Sequence, residues 1–203
     1  MKLNALLSGV LLATAFTSAS ALSVVTGNVP QDDSNVVRNP CGLPPATETG
    51  TTVQGCLNDN NSVIVDLTSD EEINFSGGQA TVTATDGEFS TLTVAADSFS
   101  TLILNIDANA DGFVTFTDGA GTSDPFALDA NGQNFFTLTG VTGDFVTFVT
   151  TVGGVETDIV DEVRQIRLGQ GQVGVIPEPE TYALMMAGLA AIGFISRRRK
   201  SRK

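Results

Sequence analysis

The 203-residue sequence contains no histidine and no tryptophan, and it has a single tyrosine. Without histidine, the side chain that most often serves as a general acid or base near neutral pH is missing. The sequence also has no glycine-rich phosphate-binding loop. These absences predict that the chain is not an enzyme, that it has no catalytic residues and that it needs no cofactor, with calcium as the one alternative.

Basic residues are also scarce, with ten Lys and Arg against 23 Asp and Glu and a net charge of −13. Most of the basic residues lie near the two ends of the chain. Residues 22–176 therefore hold only three arginines against 21 acidic residues, which gives this segment a net charge of −18. Such a surface repels nucleic acid and anionic lipid, so we predict no nucleic-acid partner.

The N-terminal end has the pattern of a secretory signal peptide over residues 1–21. Lys2 opens a charged region, an apolar stretch too short to anchor follows, and Ala19-Ser20-Ala21 supplies the small residues of a cleavage site. We predict export through the Sec machinery and cleavage by signal peptidase after Ala21. An uncleaved N-terminal anchor is the alternative.

The last 27 residues, 177–203, combine three features in a fixed order. Pro177-Glu178-Pro179 comes first, and an uncharged apolar stretch over residues 182–195 follows. The chain then closes with a basic tail, Arg197, Arg198, Arg199, Lys200, Arg202 and Lys203. The apolar stretch predicts a transmembrane helix of ~21 Å, short for a hydrocarbon core of ~30 Å, with the tail retained in the cytoplasm as a stop-transfer signal. An ordinary single-pass anchor is one interpretation.

With these features in this order, the segment resembles the PEP-CTERM sorting signal of exopolysaccharide-producing Gram-negative bacteria. The resemblance implies that Pro177, Glu178 and Pro179 are the processing motif for an exosortase, a membrane-embedded cysteine protease or transpeptidase. It implies a precursor anchored in the inner membrane with a periplasmic domain, which then reaches the cell surface or the extracellular matrix, with exopolysaccharide as a further partner. It concerns sorting only, because proteins with this signal have varied exported domains.

Cysteine is limited to Cys41 and Cys56. In an oxidising periplasm an isolated pair with this spacing predicts a disulfide, which would stabilise the fold by ~3 kcal/mol. The sequence around the pair is rich in Pro, Gly and Thr and has little apolar periodicity. We therefore predict an irregular, disulfide-stapled segment over residues 22–61. A redox or metal-binding pair is the alternative, although the C-x-x-C spacing typical of such pairs is lacking.

Residues 62–168 follow a period of two. Eight short runs alternate apolar residues with Thr or Ser, and Gly, Asp or Asn separate them: SVIVDL, QATVTAT, FSTLTVA, FSTLILNI, FVTFTD, NFFTLTG, DFVTFVTT and VRQIRLG. The pattern predicts an all-β domain, an antiparallel β-sandwich of jelly-roll or immunoglobulin-like type. Arg164 and Arg167 are expected on opposite faces of the last strand, paired with nearby acids. Residues 169–176 have no packing pattern and predict a flexible linker.

One internal motif has the spacing of a calcium loop. Asp107, Asn109 and Asp111 precede Gly112, and Asp118 occupies the twelfth position, so the segment resembles an EF-hand or dockerin loop. Strand patterns flank it, however, and an extended chain after Gly112 would carry Asp118 ~20 Å beyond the turn. The alternative is a hairpin in which Asp, Asn and Gly supply the turn.

Three functions of different classes agree with these features. The leading one is a non-catalytic surface or extracellular-matrix protein that an exosortase sorts. The second is a carbohydrate- or calcium-dependent binding module. The third is a hydrolase that uses carboxylates from the acidic runs 70–72 and 158–162, which would require two carboxyl groups ~5 to 10 Å apart in a cleft.

Overall fold

The structure is a computed structural model that describes residues 22–38, 41, 48–76, 80–130 and 132–170. Within these ranges the chain forms thirteen strands and no helix, which confirms the all-β prediction. No helix with the length and hydrophobicity needed to cross a membrane occurs in this part of the chain. The predicted transmembrane helix at 182–195 lies outside the described residues.

The thirteen strands are β1 Ser23–Thr26, β2 Ser34–Val37, β3 Thr49–Leu57, β4 Ile64–Ser76, β5 Thr81–Ala84, β6 Thr91–Ala96, β7 Thr101–Ala108, β8 Gly112–Thr117, β9 Phe126–Leu128, β10 Asn134–Thr139, β11 Phe145–Val152, β12 Val155–Glu156 and β13 Val160–Gly169. All eight alternating runs of the sequence lie on strands. Side chains at every second position of β6 and β11 are buried, as a sheet with one face on the core requires.

The expectation of an irregular segment over residues 22–61 is wrong for its described part. This segment contributes β1, β2 and β3 to the same sheet as the later strands. In β3 the buried positions are Val53, Gly55, Cys56 and Leu57, and two of these are a glycine and a cysteine. The alternation of large apolar residues that reveals the other strands is therefore absent here. The predicted linker also begins too early, because Gly169 is the buried last residue of β13.

Hydrogen bonds link all the strands into one antiparallel sheet with the order β1-β10-β7-β13-β2-β3-β4-β6-β11-β8-β9. β5 pairs with both β13 and β4, so β13, β2, β3, β4 and β5 close a ring of five strands on one side of the molecule. On the other side β1 and β9 end the sheet. The prediction of a sandwich of two separate sheets is not confirmed.

Two arms extend from the ring: one consists of β7, β10 and β1 next to β13, and the other of β6, β11, β8 and β9 next to β4. The arms pack against each other through aromatic side chains. Phe116 of β8 and Phe136 of β10 belong to different arms, and their ring centroids lie 5.1 Å apart. Phe126 of β9 lies 6.0 Å from Phe136 in the same way. Because these pairs join strands that share no backbone hydrogen bond, the core lies between the arms.

β7 is buried on both of its faces. Leu102, Leu104 and Ile106 point into the core, while Ile103 on the opposite face is also fully buried. Residues 27–33, here called the strap, run from β1 to β2 and pass β10 on the way. The hydroxyl of Thr137 in β10 donates to Gly27 O at 2.8 Å and accepts from Val29 N at 3.0 Å. The strap thus lies over the outer face of this arm. Because both faces of β7 are covered, its sequence is an almost continuous apolar run.

β13 contains a bulge between Arg164 and Arg167, and Gln165 within it has a φ of 54°. The bulge adds one residue to β13. Both arginines therefore lie on the outer face of the strand, although they are three positions apart in the sequence. Arg164 pairs with Asn105 of β7, and Arg167 pairs with Ile103. The expectation of opposite faces is therefore wrong. The expectation of acidic partners is confirmed by the ion pairs of Arg164 with Asp107 and of Arg167 with Asp33.

The hairpin alternative for the turn after Asp107 is also wrong. β7 pairs with β10 and β13, whereas β8 pairs with β11 and β9. The short segment 109–111 carries the chain from one arm to the other. The next residue has to be a glycine, Gly112, because a Cβ at this position would lie only 2.7 Å from Ile159 Cδ1 and 2.8 Å from Thr151 O.

The described chain begins and ends at the same end of the sheet. Ser23 of β1 pairs with Thr139 of β10, and Thr139 pairs with Thr101 of β7. Thr101 in turn pairs with Gly169 of β13. These four residues form one row across the arm, so residues 22 and 170 leave the sheet at this end.

Candidate functional site

The predicted disulfide is present. Cys41 and Cys56 are bonded, with their Cα atoms 5.5 Å apart, and no free cysteine is found in the described ranges. Cys56 is fully buried in β3, where it pairs with Val37 of β2 and Ile64 of β4. The bond ties the chain just after β2 to β3, next to a ladder in which only two residue pairs join β2 to β3.

The side chains of the calcium-loop motif have separate structural roles. Asp107 accepts a 2.8 Å hydrogen bond from Arg164, and Asn109 donates to Glu88. One oxygen of Asp111 accepts from Ala130 N at 2.8 Å. Among the described residues no group of three or more His, Cys, Asp or Glu side chains is arranged to hold a metal ion.

Asp118 comes directly after the extended strand β8 and is only 4% exposed. Its Oδ1 accepts hydrogen bonds from Ala120 N at 2.9 Å and Gly121 N at 3.1 Å, and its Oδ2 accepts from Thr142 N at 2.8 Å. This carboxylate thus joins the turn after β8 to the turn before β11. The structure does not bring it to the other three residues of the motif.

A second polar cluster brings Asp70, from the acidic run 70–72, close to Glu156, which lies just before the run 158–162. The Ser90 hydroxyl, which is almost fully buried, lies 2.6 Å from Asp70 Oδ2 and 3.1 Å from Glu156 Oε1. Burial raises the pKa of Asp70, but the hydrogen bonds from the Ser90 hydroxyl and from the N–H groups of Thr91 and Ser90 outweigh it, so this pKa lies below its usual value. A general acid for glycoside hydrolysis needs a shift in the opposite direction.

Clefts open on the surface that the described residues form, and two of them are of interest for binding. The smaller, of about 310 Å³, is lined by Asp66, Asp97 and Asp144 together with Ile64, Ala95 and Ala96. The larger, of about 380 Å³, lies between the two ends of the sheet, where β1 and β10 face β9. It is lined by Thr26, Gly27, Ala127, Asp129, Gln133, Asn134, Phe135 and Phe136. We call this larger space the seam cleft. No sequence motif marks it, because its residues come from segments more than one hundred positions apart.

All three arginines of residues 22–170 form ion pairs. Arg38 lies 2.9 Å from Glu48, Arg164 bonds both Asp107 and Glu162, and Arg167 lies 3.3 Å from Asp33. The hydrogen bond to Glu162 raises the pKa of Arg164, although desolvation acts in the other direction. The remaining carboxylates therefore have no cationic side chain to pair with in the described part of the chain, and its surface is strongly anionic.

The sorting and export signals lie outside the described residues. This holds for the signal-peptidase site at Ala19 and Ala21, for the triplet Pro177, Glu178 and Pro179, and for the basic tail that follows residue 195. A family model nevertheless matches residues 175–200, and its description is "PEP-CTERM protein-sorting motif". Residues 175–200 are a PEP-CTERM protein-sorting motif. The resemblance seen in the sequence is thereby confirmed.

The PEP-CTERM motif covers 26 of the 203 residues and concerns sorting. It implies an exosortase partner, export, and membrane anchoring before processing. Comparison with curated proteins and with solved structures gives no match to the chain. These comparisons therefore assign no activity to the β domain.

Proposed function

We propose that this protein is an exported, non-catalytic component of the cell surface or extracellular matrix, which an exosortase processes at its PEP triplet. The observation that carries the proposal is the PEP-CTERM motif at residues 175–200. In this proposal the Sec machinery exports the chain, and signal peptidase removes residues 1–21. The apolar stretch and basic tail then hold the precursor in the inner membrane until the exosortase acts.

The fold supports an anchored domain of this kind. Residues 22 and 170 lie at the same end of the sheet, so the chain enters and leaves the described domain on one side. The disulfide suits an oxidising compartment. We interpret the two arms that meet at Phe116 and Phe136 as the two layers of a β-sandwich joined along one side.

A structural rather than catalytic role agrees with the chemistry of the described residues. Both cysteines are in the disulfide, and the sequence has no histidine. The pair formed by Asp70 and Glu156 offers two carboxylates near one hydroxyl, but neither cleft is lined by them. The lowered pKa of Asp70 also leaves it ionised, which a general acid is not.

The sorting proposal is tested in cells with and without their exosortase. We expect the protein to lose residues after the triplet and to leave the inner membrane only when the enzyme is present and the triplet is intact. The double substitution Pro177→Ala with Glu178→Ala should block both changes, and Glu180→Ala, one residue beyond the triplet, is the matched control. Intact mass and membrane fractionation are the measurements.

Two outcomes would contradict the proposal. A full-length protein that stays in the inner membrane of wild-type cells would identify the C-terminal segment as a plain anchor. Processing that continues in the double variant would show that another sequence directs the cleavage. The Glu180→Ala protein must behave like the wild type, because only then can an effect of the double substitution be attributed to the triplet itself.

A further inference from the structure

We propose that the seam cleft binds a neutral saccharide unit. The proposal goes beyond sorting and does not rest on it, since it concerns only the described domain. Its starting point is a space of about 380 Å³, within the range of small-ligand sites, at the place where the sheet does not close.

Hydrogen bonds hold Asp129 and Ala130, which precede β10, in place. The Asn134 side chain accepts from Asp129 N at 3.0 Å and donates to Asp129 O at 3.1 Å and to Ile106 O at 3.0 Å. Asp111 holds Ala130 N at 2.8 Å. The backbone at Asp129 and Ala130 is thus fixed by Asn134 of β10 and by Asp111, and such preorganisation favours binding.

Three polar groups of the cleft have no hydrogen-bonding side chain or backbone group opposite them within the described residues. These are the carboxylate of Asp129, the amide of Gln133 and the hydroxyl of Thr26, all of them on exposed residues. Ala127 and Phe135 supply apolar wall beside them. The site therefore combines apolar surface with a small number of oriented polar groups.

The chemistry of these groups selects the ligand class. A carboxylate only accepts hydrogen bonds, whereas an amide and a hydroxyl both donate and accept. Neighbouring hydroxyl groups on a sugar ring match this set, because a hydroxyl can donate to a carboxylate and can both donate to and accept from an amide or another hydroxyl. No cationic side chain lines the cleft, so a phosphate, sulfate or uronate would be left without a counter-charge next to Asp129.

The smaller cleft does not have this chemistry. Its polar lining consists of the three carboxylates of Asp66, Asp97 and Asp144, which accept but do not donate. It has a similar volume, about 310 Å³, and an Asp in a comparable setting. Asp97 is therefore a matched control for Asp129.

The test is saturation-transfer NMR on the full chain in nanodiscs of neutral phosphatidylcholine, with empty discs as background. The probes are neutral trisaccharides of glucose, of mannose and of galactose, the glucosamine trimer, and spermidine. We expect at least one neutral trisaccharide to bind with a Kd on the order of 1 mM. Asp129→Asn and Gln133→Ala should each weaken this binding about tenfold, and Asp97→Asn should leave it unchanged.

Several results would overturn the proposal. Absence of transfer to all three neutral sugars would do so, as would binding that Asp129→Asn and Gln133→Ala leave intact. Binding of only glucosamine and spermidine would show an amine site in place of a saccharide site. The circular dichroism melting curve of each variant has to match that of the wild type. Gln133→Ala changes an exposed side chain and keeps the test valid if Asp129→Asn unfolds.

Discussion

Short carboxylates make the tightest local connections in this domain. Asp118 binds three backbone N–H groups, and Asp70 binds the N–H groups of Ser90 and Thr91 together with the Ser90 hydroxyl. Both residues stand out in the sequence as parts of acidic motifs, one for calcium and one for hydrolysis. Their structural role is to accept hydrogen bonds from backbone N–H groups that the strand ladders leave unused.

The lowered pKa of Asp70 predicts that the stability of the fold depends on pH in the acidic range. Its pKa in the folded state is below the unfolded value, so the stability it contributes is present above about pH 4 and is lost as the pH falls through the folded pKa. In the substitution Asp70→Asn this contribution is missing at every pH. We expect the wild type to be more stable than the variant at neutral pH, and the difference to shrink below about pH 4.

Urea unfolding at a series of pH values measures this difference. Asp86→Asn, at an exposed carboxylate with no hydrogen bond in the described structure, is the control and should run parallel to the wild type. If the Asp70→Asn and wild-type curves also run parallel below about pH 4, the hydrogen bonds to Asp70 do not shift its pKa.

At the level of the strands, the sequence predicts those with a regular apolar alternation and fails for the rest. β6 and β11 bury every second residue, so a period of two identifies them. β1 and β2 have four residues each and depend on long-range pairing. The turn after Asp107 has the composition of a hairpin, but its two strands belong to different arms, and local residues carry no information about that choice.

The candidate sites follow the same division. The disulfide and the sorting motif depend on residue type and spacing, which the sequence contains directly. The seam cleft brings Thr26 close to Gln133 and Phe135 because β1 pairs with β10. That pairing joins two segments distant in the chain, so the cleft could not be inferred from any local pattern.

β3 depends on close packing around a glycine. A Cβ on Gly55 would lie 2.9 Å from Phe75 Cε1, from Val36 Cγ1 and from Val37 O. Two of these atoms belong to buried core side chains and the third is backbone, so the ring strands would have to move apart. We expect Gly55→Ala to lower the free energy of unfolding by about 1 to 3 kcal/mol.

Gly121→Ala is the control for this prediction, because a Cβ at Gly121 has no atom within 4 Å. Its effect should stay within about 0.5 kcal/mol. Urea unfolding of both variants provides the comparison. Equal stabilities for the two would mean that β3 and its neighbours adapt without strain.

For the whole molecule, charge is the dominant feature. Three arginines, all in ion pairs, stand against 21 acidic residues in the segment 22–176. Mutual repulsion of the carboxylates is strongest when the folded chain holds them close together, so it opposes folding. Salt shortens the range of this repulsion from about 30 Å at 0.01 M to about 10 Å at 0.1 M.

We therefore expect sodium chloride to stabilise the protein. Between about 0.01 M and 0.5 M the gain should be at least about 1 kcal/mol, or roughly 3 °C in Tm for a domain of this size. Differential scanning calorimetry measures it. A triple variant with Glu71→Gln, Asp86→Asn and Asp161→Asn should melt higher at low salt and respond less to salt. A Tm that falls as salt is added would show that the ion pairs outweigh the repulsion.

The position of β13 has a mechanical consequence. This strand is the last one before the PEP-CTERM motif in the sequence, and it is hydrogen-bonded to β7 on one side and to β2 and β5 on the other. Antiparallel hydrogen bonds run perpendicular to the strands, so a force along β13 loads them together in shear. β1, bonded on one edge only, could instead be peeled away bond by bond. Tension applied through the C-terminal segment thus acts on a strand that is hydrogen-bonded along both of its edges.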